Sequence, residues 1–557
     1  MSDALSAQSK SLSKPLLFSI IGAVTGLIVS QVGIYAESTA VALYLFGAVL
    51  LVINVLLLWG KQTTRFIVLN LGAVAMGLAL LISWNVWQEY YAIRKIAPLF
   101  IIALIQIGII ATTFAQSWKA DKPHYVYADL FENGWNNHFF FLFSALLTGG
   151  FLLILLLGTT LFDSIGLDVS DIIWNKHVTP IIVATLVGAG IGISREHESL
   201  IFKIRSVFFA LFKVMAYLAA AIVILFAISL PFSWQGLFSN DSTSIILLSL
   251  VGVSILLLNT LVDEDSKPIA VWSNRIFRVQ IALLSVFSLL SVYAIILRIQ
   301  QYGLMPNRIV ALSIAIMLAL YGISYAYQML KQRGQWGKGI AASNPLLAMI
   351  WLGVLIALSS PLLDPVRLSV NSQLERLQSG KASVETFDFY ALKYRLGKKG
   401  EEALEEIRRW KDHPDYALFE KYSDQPNSRI NSPSQPIIFT MLGEEPLHFS
   451  ALKESYSAYR CNKKQPCFVK MLDMDRDNVK EALVIDFKNN YISVDILEYE
   501  AEDPQREKKW VRQRSLSTYL SGNQSIEQSI EALKAGKLKL LRPRYNDLQL
   551  GEVELRK

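Results

Sequence analysis

Cys461 and Cys467 are the only thiols in a chain of 557 residues, and an acidic run follows them within a few positions. Five residues separate the pair, including Pro466 to help turn the chain, so a hairpin would bring the two α-carbons within bridging distance. The chemistry this spacing offers is a disulfide, which persists in an oxidising compartment and stays reduced in the cytosol. A zinc pair fits less well, because structural zinc sites prefer two to four intervening residues and further ligands. Here no third cysteine exists and His448 is the only histidine nearby in sequence.

The acidic run is Asp473, Asp475 and Asp477, with Glu481 four residues on. These stand at positions 1, 3, 5 and 9 of a loop, with the Val479 carbonyl at 7. Calcium loops use such spacing because alternate side chains of a tight turn converge their oxygens on one hard cation. Asn478 occupies the place where glycine is usual, though Asn tolerates the left-handed conformation. No bidentate Glu stands at position 12, so the helix-flanked EF-hand does not fit. The pattern looks more like the strand-flanked aspartate loops of FG-GAP-type β-repeats. A solvated acidic hairpin turn is the competing reading, and both stay open.

Both groups need a scaffold and a compartment, and composition supplies them. Hydrophobic residues make up 53% of the chain and charged ones 18%, with a mean hydropathy of +0.37, values typical of a membrane protein. Of the 53 basic and 46 acidic residues, 63 lie after Leu363. The chain therefore divides into an apolar body and a polar tail long enough for a domain of its own. The net charge of +7 does not point to nucleic acid, since many basic residues sit in short loops between apolar runs.

Windows long enough to cross about 30 Å of hydrocarbon recur over Pro15–Gln31, Ala40–Gly60, Phe66–Trp84, Ile96–Ala115, Phe139–Leu161 and Val178–Ser194. Five more cover Val207–Leu230, Ser244–Val262, Ile276–Leu297, Ile309–Leu330 and Pro345–Leu363. The sixth is short and glycine-rich and could be re-entrant. The expectation is a polytopic α-helical membrane protein of about eleven crossings, in contact with the lipid bilayer. Residues 1–14 form a polar N-terminus before an uncleaved first crossing. Gly22, Gly26 and Ser30 lie four apart there, a spacing that lets two helix backbones approach closely inside the bundle. Fifteen Lys and Arg fall in alternate short loops and five in the others. Positive residues stay on the cytoplasmic side, so the N-terminus is expected inside and the tail outside. That address agrees with a disulfide.

In the tail, helical patterns cover Val366–Gln378 and Phe387–Arg409, with Gly380, Gly397 and Gly400 as breaks. Residues 364–421 read as an extracytoplasmic helical segment, 422–436 as a Ser/Asn/Pro-rich linker, and 437–557 as a β-rich extracytoplasmic domain. Strands are expected at Ile437–Leu442, Phe468–Leu472, Ala482–Phe487 and Ile492–Tyr499. A helix near Ile526–Ala535 precedes strand-like stretches at Leu538–Leu541 and Leu548–Leu555.

One loop stands out. In "QYGLMPNRI" (Gln301–Ile309), Gly303 and Pro306 make a turn, Pro306 and Asn307 suit a helix start, and Arg308 falls at the outer interface, where it could anchor headgroups, pair with an acidic residue of the tail or touch a ligand, the first being the default. The stretch resembles the Tyr-Gly-Leu-x-Pro-Asn-Arg signature of an uncharacterised bacterial multi-pass membrane family, domain of unknown function 4153, with Met305 where Thr is expected. "LERLQSGKASVETFDFYALKYRLGKKGEEAL" (Leu374–Leu404) resembles that family's segment after the last crossing. The resemblance covers the body from about Phe139 and the start of the tail. It singles out Tyr302, Gly303, Pro306, Asn307 and Arg308 without a role, and implies a membrane fold in the bacterial envelope and no activity.

Catalytic signatures are missing: no Walker A loop, no His-Glu-x-x-His, no Gly-x-Ser-x-Gly and no Gly-x-Gly-x-x-Gly occurs. "SREHES" (Ser194–Ser199) reads as a solvated charge run, and "ENGWNNH" (Glu132–His138) as an interfacial stretch before the fifth crossing. Asn54, Asn70, Gln106 and Asn259 are expected to bond between helices. The reading that results is a non-enzymatic inner-membrane protein whose extracytoplasmic domain binds or senses an envelope partner. A transporter or lipid-handling permease is the alternative, opposed by the lack of acidic residues inside the crossings.

Overall fold

Runs of some twenty apolar residues have one economical conformation in lipid, the helix, because it satisfies every backbone polar group internally. In a computed structural model of the chain, each of the eleven windows coincides with a helix. The structure describes residues 13–35, 39–90, 93, 96–120, 125–237, 241–262, 271–332, 336–384, 387–419, 439–446, 449, 452, 461, 467–474, 477–488, 491–500, 509–519, 526–538, 548–550 and 553–555. The helices are α1 (Lys14–Tyr35), α2 (Thr39–Leu58), α3 (Thr64–Trp87), α4 (Ala97–Gln116), α5 (Tyr127–Ser164), the single turn α6 (Ser170–Ile173), α7 (Thr179–Glu196) and α8 (Glu198–Leu237). Next come α9 (Asp241–Thr260), α10 (Val271–Tyr302), α11 (Pro306–Lys331) and α12 (Trp336–Leu358). Among the described residues, nine helices are long and apolar enough to cross a membrane; α7 and α9 fall just outside that set.

The weakest window is explained by its partner. α7 runs unbroken for 18 residues, about 27 Å of helix at 1.5 Å per residue, and packs along α1. A Cβ on Gly22 would strike the Ala184 carbonyl, and one on Gly188 the Phe18 carbonyl. Of the glycines of "VTPIIVATLVGAGIGIS", Gly188 and Gly192 are therefore the surface on which α1 lies, Gly190 is where Ser144 of α5 approaches, and none is a break.

Hydrogen bonds between helix ends sort the bundle. At one end Lys14 donates to the Arg195 carbonyl and Arg195 Nη1 to that of Leu56. Lys61 there reaches Asn133, Arg205 reaches Asn136, and Trp336 bonds Asn274. At the other ends of these helices, Ser30 donates to the His177 carbonyl, and the turn between α10 and α11 meets the segment that follows α12. That segment comprises α13 (Pro365–Gln378), α14 (Phe389–Arg395) and α15 (Gly397–Arg409). Gly397, at φ +55°, is the first residue of α15, and Gly400 lies inside it.

The chain divides into two compact units. The first holds the helices to α15. The second, from residue 427 with Ser383–Asp388, holds a five-stranded sheet in the order β1 (Phe439–Met441), β2 (Cys467–Leu472), β3 (Glu481–Lys488), β4 (Tyr491–Glu500) and β5 (Lys509–Tyr519). β1 pairs with β2 in parallel and the remaining pairs are antiparallel. Successive residues of β2 and β3 face opposite ways, as the period of two requires. Cys467, Val469, Ala482 and Val484 pack with Cys461, Leu497 and Trp510 on one face. Phe468 and Ile485 pack on the other against Leu533 of α16 (Ile526–Lys534). The Leu548–Leu555 stretch is a pair of three-residue strands, β6 (Leu548–Leu550) and β7 (Val553–Leu555), and not one strand. Most of Leu538–Leu541 and the whole linker 422–436 lie outside the described residues.

Candidate functional site

The turn at Tyr302–Arg308 is built by its own sequence and then locked by a helix some seventy residues away. Gly303 ends α10 at φ +76°, donating to the Ile299 carbonyl, a left-handed cap that glycine adopts without strain. Pro306 opens α11, where its missing N–H costs no helical bond. Arg308 Nη1 donates to the carbonyls of Tyr302 (3.3 Å) and Gly303 (2.8 Å), and its guanidinium lies 5.3 Å from the Tyr302 ring centre. Arg308 thus closes its own turn.

Helix α13 supplies the lock. Gln373 Nε2 donates to the carbonyls of Tyr302 (3.1 Å) and Leu304 (2.9 Å). Arg376 donates from Nη1 to Gln300 (3.0 Å) and from Nη2 to Gln301 (2.8 Å), and the Ser372 hydroxyl accepts from Leu304 N–H (3.2 Å). Carbonyls at a helix C-terminus lack intrahelical donors, and a guanidinium is suited to fill that need with its fixed fork. The φ of Gly303 calls for glycine, and a Cβ there would come 2.6 Å from Gln373 Nε2, displacing the side chains that make the lock.

The start of α13 is fixed in turn. Asp364 caps it, Oδ1 accepting from Val366 and Arg367 N–H, while Oδ2 accepts from the Tyr90 hydroxyl at 2.7 Å. Both partners are buried, at 1% and 3% exposure. Burial first, and then the Asp364 charge, push the Tyr90 hydroxyl far above its ordinary range. Met305, Pro306 and Asn307 also border a small cavity of about 40 Å³ with Ile96, Leu99, Arg395 and Leu396. That is room for a water or two and not for an organic ligand.

The basic end carries a second polar set that the sequence reading missed. α5 starts at Tyr127, so "ENGWNNH" lies inside it, and Asn133, Asn136 and Asn137 are buried there. Asn137 exchanges hydrogen bonds with Gln116, and Asn133 donates to Ser117. Arg195 of "SREHES" is 3% exposed and not solvated. Its Nε lies 3.8 Å from Glu198, whose carboxylate is also 4.0 Å from Lys61. Burial holds the Lys61 ammonium below the usual lysine value, against the pull of Glu198. The overlooked signal was the i, i+3, i+4 spacing of three asparagines, one helical face.

Polar residues within the bundle mostly pair as expected. Asn54 donates to Thr112, Gln106 accepts from Trp351, and Asn259 accepts from both Tyr325 and Asn344. Asn70 Oδ1 is buried without a partner, as are Asn54 Oδ1 and both side-chain polar atoms of Gln280 in α10.

In the second unit Cys461 and Cys467 form a disulfide with a Cα–Cα distance of 5.1 Å, both residues fully buried. Beyond β2, Asp473 Oδ2 accepts from Asn478 N–H (3.2 Å), Asp477 Oδ1 from Val479 N–H (2.7 Å), and Glu481 from Met474 N–H (2.6 Å). Asn478 takes φ +69°. These carboxylates thus fold the loop through its own amides. Asp475 lies outside the described residues, and among those described no three His, Cys, Asp or Glu side chains are placed to hold a metal ion. No family model, no curated protein and no solved structure matches the chain.

Proposed function

We propose that this is a bacterial inner-membrane protein of eleven crossings, with a cytoplasmic N-terminus and a periplasmic C-terminal β-domain that binds or senses an envelope partner without catalysing a reaction. The observation that carries the reading is the Cys461–Cys467 disulfide in the core of the sheet, since such a bond persists outside the cytosol. Charge supports the same orientation. Lys14, Lys61, Arg195 and Arg205 meet at the bundle end opposite the Tyr302–Arg308 turn, as the positive-inside rule requires of a cytoplasmic face. A binding role rests on the sequence, which carries no nucleotide, zinc or serine signature. A transporter or lipid-handling permease is the second reading, favoured by a large apolar groove in the side of the bundle.

Reporter fusions and cross-linking test this together. Alkaline phosphatase fused after Lys557 should be active and a cytosolic fluorescent protein there dark. Photo-cross-linkers placed on exposed positions of the β-domain should then capture a discrete envelope protein. The reverse reporter pattern would overturn the orientation. Correct orientation with no captured partner, and with substrate flux in proteoliposomes, would overturn the binding role in favour of the permease.

A further inference from the structure

The side of the bundle opens in a groove of about 860 Å³ walled by α3, α4 and α12, within the range of small-molecule sites. One face of α3 supplies Val74, Gly77, Leu81 and Trp84, facing Ile107 of α4 and Ile356 of α12. Apart from Ser83 and Ser360 the lining is apolar or aromatic. Leu80 and Trp87 are two-thirds exposed, so the groove opens sideways, where a helix bundle of this hydropathy meets hydrocarbon.

Apolar walls alone select nothing in a membrane, because lipid tails are as apolar as leucine. The rim is different. Lys398 Nζ lies 5.6 Å from the ring centre of Trp87, and Arg367 Nη2 donates to the Pro361 carbonyl at 2.7 Å. Trp87 and Pro361 both line the groove, at the end where α13 and α15 begin. Two cations thus stand at the mouth of an acyl-sized slot, at the depth where an indole marks the membrane interface.

We propose that this groove is a binding site for an anionic phospholipid, one acyl chain lying between α3, α4 and α12 and the phosphate meeting Lys398 and Arg367. The proposal requires only that the bundle sit in a bilayer, and holds for a structural as for a transported lipid. Two basic groups at a membrane surface give roughly a thirty-fold preference for anionic over zwitterionic lipid, about 2 kcal/mol.

The test uses the full chain in nanodiscs of phosphatidylcholine containing a minority of phosphatidylglycerol, with retained lipid counted by native mass spectrometry and melting followed in parallel. The wild type should retain phosphatidylglycerol well above its share of the bilayer and melt higher than in pure phosphatidylcholine. The double change Lys398→Gln with Arg367→Gln should abolish both effects. Gly77→Leu should obstruct the groove where α3 faces α4 and α12 and abolish them as well; a Cβ there meets nothing within 4 Å, and an unchanged melting temperature in pure phosphatidylcholine would confirm that the fold is intact. Enrichment that survives Gly77→Leu but not the charge changes would mean headgroup adsorption alone and overturn the groove. Equal retention of both lipids would overturn the role of the cations. A dimer that Gly77→Leu dissociates would seat a second copy of the chain in the groove and overturn the lipid.

Discussion

At the scale of single residues, the Tyr90 hydroxyl donates to a buried Asp364 carboxylate at 2.7 Å. A hydrogen bond to a charged group contributes about 1.5–3 kcal/mol, and breaking it leaves a buried carboxylate oxygen unmatched. Tyr90→Phe should therefore lower stability by about 2 kcal/mol, read as a lower melting temperature of the full chain at pH 8. The pH dependence has a definite sign. The folded state holds the Tyr90 proton far more tightly than the unfolded chain, whose value is near 10.0. This contribution is complete below pH 10 and is lost as the pH rises beyond it, and melting curves should fall more steeply above pH 10 in wild type than in Tyr90→Phe. The sequence disclosed part of this site. Gly303 and Pro306 announced the turn and the helix start through their own backbone constraints. Gln373 and Arg376 gave no sign of their target, because no local spacing links a residue on α13 to a carbonyl at Gln300. Tyr90 and Asp364 were invisible for the same reason, being 274 positions apart.

Elements were legible to the extent that lipid or a core dictated their pattern. Apolar runs located the helices of the body but not their ends. α5 reaches back to Tyr127 because its polar first turns find polar partners, and α12 starts at Trp336, with Pro345 inside it. β5 was missed altogether. Arg512, Arg514, Ser515 and Ser517 give it the texture of a loop, and residues 513–518 are exposed on the last described strand of the sheet, where one face need not be apolar. The α1–α7 crossing gives the sharpest element-level prediction. Gly22→Ala drives a methyl into the Ala184 backbone, and overpacking of this kind costs about 1–3 kcal/mol. Gly33→Ala, in the same helix with nothing within 4 Å, should be neutral or stabilising by about 0.5–1 kcal/mol. Melting of the two purified variants should separate them, and equal loss in both would sink the close-packing account.

For the molecule as a whole, one thiol measurement bears on both units. In intact cells a small alkylating reagent should leave Cys461 and Cys467 unlabelled until a reductant is added, and then label both after denaturation. The paired change Cys461→Ser with Cys467→Ser should destabilise the sheet by about 2 kcal/mol, because so short a loop removes little chain entropy. Labelling without reductant would place the sheet in a reducing compartment and overturn the proposed orientation. The lock on the Tyr302–Arg308 turn matters at this scale too. Chain following α12 passes first through α13, and α13 is tied to the α10–α11 turn by Gln373, Arg376 and Ser372 together. Tension arriving along the polypeptide from the tail is thus shared among several bonds that must shear at once, and it is delivered to two helices besides α12. Pulling on the chain beyond α13 should therefore move the α10–α11 hairpin before it unwinds α12.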